Sequence, residues 1–171
     1  MRGAAVLVAL IAALALQTIV TRFAFAAPVD LVLVVVVATA LAMGPVGGLL
    51  AGTLGGIAQD TLAGGIIGVS GLVQSTVGYF AGVAGRQFIV TQPVQRFVVF
   101  FAASAAQAGF LAGLYRVVRE PVSLSLTGVA TQAAVNAVIG VAAFEMAAWV
   151  PAVRQRRRRE RVRQWRRRLE G

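Results

Sequence analysis

Long apolar stretches alternate with short polar or glycine- and proline-bearing breaks along the whole chain, and the alternation divides it into six apolar segments. The first run, residues 3–21, lies between Arg2 and Arg22 and has the length of a membrane span, about 20 residues. Asp30 opens the second, 31–43, whose valines are no bar to a helix in lipid, because a spanning backbone has to satisfy its own hydrogen bonds. Gly44-Pro45 interrupts the pattern before a glycine-rich segment, 46–61, and Gly64-Gly65 with Gly68 marks the turn into 69–85, which ends at Arg86. A polar connection with Gln87, Gln92 and Pro93 leads to 94–114; a loop carrying Arg116, Arg119 and Glu120 leads to 124–150, where Pro151 is expected to close the helix. The pattern predicts an all-α integral membrane protein: a six-transmembrane-helix bundle over residues 1–153 and a basic tail over 154–171. A second reading of the start exists, since Ala24-Phe25-Ala26 has the small-x-small form of a cleavage site and residues 1–26 would then be a signal peptide.

Composition strengthens the membrane reading. Hydrophobic residues make up 58% of the 171 positions, above the roughly 45–50% of soluble domains even when glycine is counted as apolar. The formal charge of +10 is mostly a property of the tail: residues 1–153 hold six Arg and four acidic residues, residues 154–171 ten Arg and two. A short cationic segment on a hydrophobic body does not make a folded nucleic-acid surface. With no Cys and no His, thiolate nucleophiles, imidazole bases and zinc sites with nitrogen or sulfur ligands are excluded, and no phosphate-binding loop, nucleophile elbow or paired carboxylate is present. Neither an enzyme nor a bound cofactor is expected. Six spans put both termini on one side, and the distribution of Arg2, Arg86, Arg96 and the tail against Arg22, Arg116 and Arg119 makes that side cytoplasmic.

Within the spans the small residues are periodic. Gly44, Gly48, Gly52, Gly56 and Asp60 recur every four positions and form a stripe with almost no side-chain bulk, suited to close helix packing or to receiving a partner's helix. Gly71, Ser75, Gly78 and Gly82 make a similar face in the fourth segment, and Ala102, Ala106, Gly109 and Gly113 one in the fifth. Gly128, Gln132, Asn136 and Gly140 form a stripe in the sixth whose amides suit interhelical adhesion. Asp60, near a helix C-terminus that disfavours negative charge, calls for a partner: an ion pair, loop amides or a ligand. Asp30 reads as an N-cap, Glu145 as a group near the interface within reach of a tail arginine, and Tyr79 as an ordinary buried tyrosine or one whose hydroxyl donates across helices. In the tail, Arg154, Arg156, Arg157, Arg158 and Arg159, with Val162, Trp165 and Leu169 at helical spacing, suit an anionic lipid surface, a solvated topology signal or an acidic partner.

The segment from Pro28 to Arg86 resembles the rod shape-determining protein MreD family in the order and spacing of Pro28 and Asp30, Gly44, Gly48 and Gly52 into Asp60, the Gly64-Gly65 turn with Gly68 and Gly71-Leu72, and Gly78-Tyr79 followed by Gly82. That stretch is about a third of the chain. The first, fifth and sixth segments match only in hydrophobicity, and the arginine tail is outside the family pattern. The resemblance implies a non-catalytic subunit of the bacterial inner membrane that associates with MreC and, through it, with MreB, RodA and a class B penicillin-binding protein. It carries Gly44, Gly48, Gly52, Asp60, Gly78, Tyr79 and Gly82 as motif positions. It also implies a fold similar to the substrate-binding subunits of energy-coupling-factor vitamin importers, which supplies an alternative function: a small-molecule-binding subunit with an outward-facing pocket near Asp60.

Overall fold

A computed structural model describes the backbone of residues 2–23, 29–64, 66–88, 92–117 and 125–169, and within these the side chains of all but 2, 21–23, 115, 117 and 148–169. Six helices follow one another: α1 (Arg2–Phe23), α2 (Leu31–Met43), α3 (Pro45–Ala63), α4 (Val69–Gln87), α5 (Pro93–Val117) and α6 (Leu126–Leu169). By length and composition, 3–20 of α1, 93–114 of α5 and 126–147 of α6 can each cross a membrane, and α2 is a shorter apolar helix. This is the make-up of a helical membrane protein. The chain divides into two compact units, Met1–Val141 and Ala142–Gly171. The Ala24-Phe25-Ala26 tripeptide, Pro28, Gly65, Arg119 and Glu120 lie outside the described residues, as do the side chains of Arg22, Tyr115, Trp149 and the whole arginine tail.

Local signals account for the helix boundaries. Proline stands first in both α3 and α5, where its missing N–H would have had no intrahelical partner anyway. At the start of α5 the Gln92 N–H donates to Gln95 Oε1 at 3.2 Å, one half of a capping box. Ser125 caps α6 by accepting from the Gly128 N–H. Gly44 alone connects α2 to α3, with φ 88°, and Gly64 ends α3 with φ 67°; both are left-handed conformations that strain any residue with a Cβ.

The valine-rich α2 is the central rod of the first unit. Val32, Leu33, Val34, Val36 and Val37 are all buried, as befits a helix apolar on every face. It packs against α1, α3, α4 and α5, and Leu10, Val32, Val36 and Ala51 form the core between α1, α2 and α3.

The sixth helix departs from the expected end. It is helical through Pro151 to Leu169 rather than closing at Val150. Proline removes one backbone donor and strains one turn, and the following arginines are strong helix formers, so the pattern resumes. The second unit consists of the part of α6 that starts at Ala142 with the residues after it.

A candidate site at the buried end of α2

The glycine stripe of α3 lies against α4. A methyl group at Gly48 would collide with the Gly78 carbonyl, one at Gly52 with the backbone of Gln74 and Ser75, and one at Gly56 with Ser70 and Gly71. At the far end Gly82 meets Gly44 and Pro45 in the same way. The obstructing atoms are backbone, so both helices present bare main chain to each other over four levels. The Arg86 guanidinium packs over Gly44 at the C-terminus of α2, where a cation complements the helix dipole. The matching spacing in α5 has a different outcome: among the described residues there is nothing within 4 Å of a Cβ at Gly109 or Gly113, so the expected close face is an open one there. Periodic small residues permit a close neighbour but do not supply one. In the α6 stripe, Gly140 packs on the ring of buried Phe100, while Gly128 meets only its own cap residue Ser125.

Asp60 is buried and serves as a loop anchor. One carboxylate oxygen, Oδ2, accepts from the Gly68 N–H at 2.7 Å and from the Ser70 N–H at 3.1 Å; Oδ1 also accepts from Ser70, at 3.3 Å. These donors belong to the start of α4, so the carboxylate compensates for its unfavourable place near the end of α3 by capping the next helix. Tyr79 is not a buried tyrosine. It is 41% exposed, stands midway along α4, and meets the adjacent Phe80 edge to face with ring centroids 5.7 Å apart. Among the described residues its hydroxyl makes no hydrogen bond. Tyr79 lies with Leu49, Ser75 and Thr76 on the α3 side of α4, whereas the α4–α5 surface opens into a separate groove of about 770 Å³ lined by Thr76, Phe80, Ala84, Val98, Ala102 and Phe110, among others.

The densest polar chemistry gathers at the N-terminus of α2. Asp30 is 4% exposed, and its Oδ1 accepts from the Leu33 N–H at 3.0 Å. Gln107 of α5 donates its amide to Oδ2 at 2.6 Å. Asn136 of α6 accepts from the Asp30 N–H at 3.0 Å and donates to Ser104 of α5 at 2.8 Å. From α1, Gln17 Oε1 accepts from the N–H groups of Leu31 and Val32, at 3.1 and 3.4 Å. The first N–H groups of α2 therefore all have acceptors, as a helix that begins away from water requires.

Helix lengths show how deep this end lies. α1 continues from Gln17 to Phe23, about 9 Å at 1.5 Å per residue. α5 continues from Gln107 to Val117 and α6 starts at Leu126, ahead of Asn136, each about 15 Å by the same rise. Asp30 is thus recessed among longer helices, where an ionisable group is a functional candidate by default.

On the other side of α2, buried Gln74 of α4 donates to Gln59 of α3 at 2.6 Å. Gln74 Oε1 and Gln107 Oε1 are buried acceptors without partners. Among the described residues no group of three or more His, Cys, Asp or Glu gathers into a metal site.

Sequence reading gave Asp30 only the N-cap role and passed over Gln17, Gln74, Ser104 and Gln107. The available signal was the lone amide or hydroxyl within an apolar span, which is costly unless it meets another.

Comparison with curated proteins and with solved structures gave no match. The family profile of the rod shape-determining protein MreD matches residues 2–152, which extends the likeness from the glycine-rich third to α1, α5 and the start of α6. With the profile covering the whole segment that carries the glycine seam and the recessed polar end of α2, the chain belongs to the MreD family of rod shape-determining proteins.

Proposed function

We propose that this chain is a non-catalytic scaffold of the inner membrane, with six spans and both termini in the cytoplasm, that receives the single transmembrane helix of MreC. Through MreC it helps position MreB, RodA and a class B penicillin-binding protein during cell elongation. The family match over residues 2–152 carries this reading. Two features of the surface support a docked helix. The glycine seam is occupied by the chain's own α3 and α4, so a partner has to use another face. The α4–α5 groove is almost wholly apolar, and the half-exposed Tyr79, on the neighbouring α3–α4 side of α4 with Leu49, offers a hydroxyl at mid-helix that lipid cannot satisfy. The tail arginines hold the cytoplasmic side to anionic lipid, at about 1 kcal/mol for each residue near the surface.

The importer alternative placed its pocket near Asp60; that carboxylate accepts from the Gly68 and Ser70 N–H groups, a capping role that needs no ligand.

The test is co-purification with MreC from detergent, followed by cross-linking from single cysteines. The chain has no native Cys, so Phe80→Cys and Val98→Cys report on the groove and Ile11→Cys on the exposed face of α1. Cross-links to the MreC span from the groove positions but not from Ile11 are expected. A stable complex that links only through α1 rejects the groove, and no complex at all rejects the scaffold.

A further inference from the structure

Several groups around Asp30 have hydrogen-bonding capacity left over. Gln107 is 5% exposed, and one N–H of its amide donates to Asp30 Oδ2. Its carbonyl oxygen, on the same rigid amide, is buried with no donor. Ser104 lies one turn before Gln107 on α5 and is 4% exposed. Its Oγ accepts from Asn136, and among the described residues its own O–H donates to nothing. Asp30 Oδ2 accepts one hydrogen bond from a side chain and retains lone-pair capacity, since a carboxylate offers about four acceptor sites. The Ser104 O–H, Gln107 Oε1 and Asp30 Oδ2 are therefore open within one turn of α5 and the carboxylate it touches, and the Gln107 and Asn136 amides each keep a second N–H. No cationic side chain forms an ion pair with Asp30 among the described residues.

An orphan buried carbonyl costs about 1–3 kcal/mol, and a half-satisfied polar cluster is worse than an apolar one. A ligand that meets the Ser104 O–H and the two acceptors accepts once and donates twice. Water does this, and buried waters typically make about three hydrogen bonds. An ammonium group would leave the Ser104 O–H unmatched, and a metal cation would lie close to the positive end of the α2 dipole.

We propose that the recessed N-terminus of α2 is a hydration site: one water molecule accepts from Ser104 Oγ–H and donates to Gln107 Oε1 and Asp30 Oδ2. It joins α5 to the cap of α2 and gives a carboxylate inside the membrane a proton-exchangeable neighbour.

Solid-state NMR of the full chain in lipid vesicles tests it through magnetisation transfer from water protons to side-chain carbons. Asp30 Cγ and Gln107 Cδ are expected to build up at least twofold faster than the carbons of Leu33, Val36 and Phe100, which are equally buried but apolar. Ser104→Ala, which removes one oxygen and leaves the Asp30–Gln107 bond, is expected to halve the Gln107 build-up or more. Build-up at Asp30 and Gln107 as slow as at the apolar residues overturns the proposal in the unmutated chain, whatever the variant does. Build-up unchanged by Ser104→Ala overturns the assigned geometry.

Discussion

Gly52→Ala tests the α3–α4 seam with a single carbon. The new Cβ would lie 2.5 Å from the Gln74 carbonyl carbon and 2.6 Å from the Ser75 nitrogen, where carbon contacts ordinarily settle at about 3.5–4.0 Å. The obstruction is the main chain of α4, so relief requires moving that helix by about 1 Å. Such a shift also loosens the Gly48–Gly78 and Gly56–Gly71 contacts on either side. Overpacking of this kind costs about 1–3 kcal/mol, and a rigid backbone obstacle puts the cost at the upper end. Alanine returns up to about 1 kcal/mol of helix propensity, which leaves a net loss of about 2 kcal/mol, or roughly thirty-fold in the unfolding equilibrium. Gly109→Ala is the matched control: its Cβ would meet nothing within 4 Å, so only the propensity gain remains, up to about 1 kcal/mol. Unfolding of the purified chain by SDS in mixed micelles, followed by circular dichroism, reads both. Opposite signs for the two variants are expected. Equal stabilities, or a Gly52→Ala variant at least as stable as the parent, would refute the backbone-on-backbone seam.

Other perturbations probe different contacts. Asp60→Ala removes the acceptor for Gly68 and Ser70 and should cost about 1–3 kcal/mol; hydrogen exchange should speed up at those two amides before it does in mid-α4, and uniform exchange would contradict the capping role. Asn136→Leu deprives both the Asp30 N–H and Ser104 of a partner and should destabilise by about 2–6 kcal/mol when the two orphaned groups are summed, whereas Gln132→Leu one turn away should change little; equal losses would count against the network. Deleting residues 154–171 is expected to weaken binding to anionic vesicles, with the difference fading at high salt; a salt-independent difference would mean that charge is not the cause.

How much of this was legible depended on the range of the interaction. Segment limits came through within a few residues because apolar length, Pro45, Pro93 and Gly64 act locally. The exception, Pro151, shows that proline weakens a helix without always ending it. The bare face of α3 was visible because helical period and side-chain size are both written in the sequence. The same period misled at Gly109 and Gly113, since whether a neighbour stands opposite is a tertiary fact. The Asp30 cluster was the least visible. Its partners Gln107 and Asn136 lie 77 and 106 positions away, and only the rotation of α5 and α6 about their axes aims them at one cap. Tyr79 failed for a related reason, because its exposure depends on which side of α4 the seam with α3 consumes.

The two kinds of contact respond to opposite perturbations, and this bears on the groove between α4 and α5. The seam holds α4 to α3 by the absence of atoms, so it is damaged by adding them. The polar cluster holds α5 and α6 to α2 by matched groups, so it is damaged by removing them. One wall of the groove, α4, is therefore positioned by glycine contacts. The other wall, α5, is positioned in part by Gln107 on Asp30, one turn before Phe110 of the lining. Its width therefore depends on both contacts, as well as on the direct packing of α4 on α5. A span seated there, as proposed, would feel Gly52→Ala through a displaced α4 and Gln107→Leu through a released α5, although neither residue lines the groove. Loss of MreC cross-linking from Phe80→Cys in both backgrounds would follow from that arrangement, and retention in both would separate the docking face from the groove.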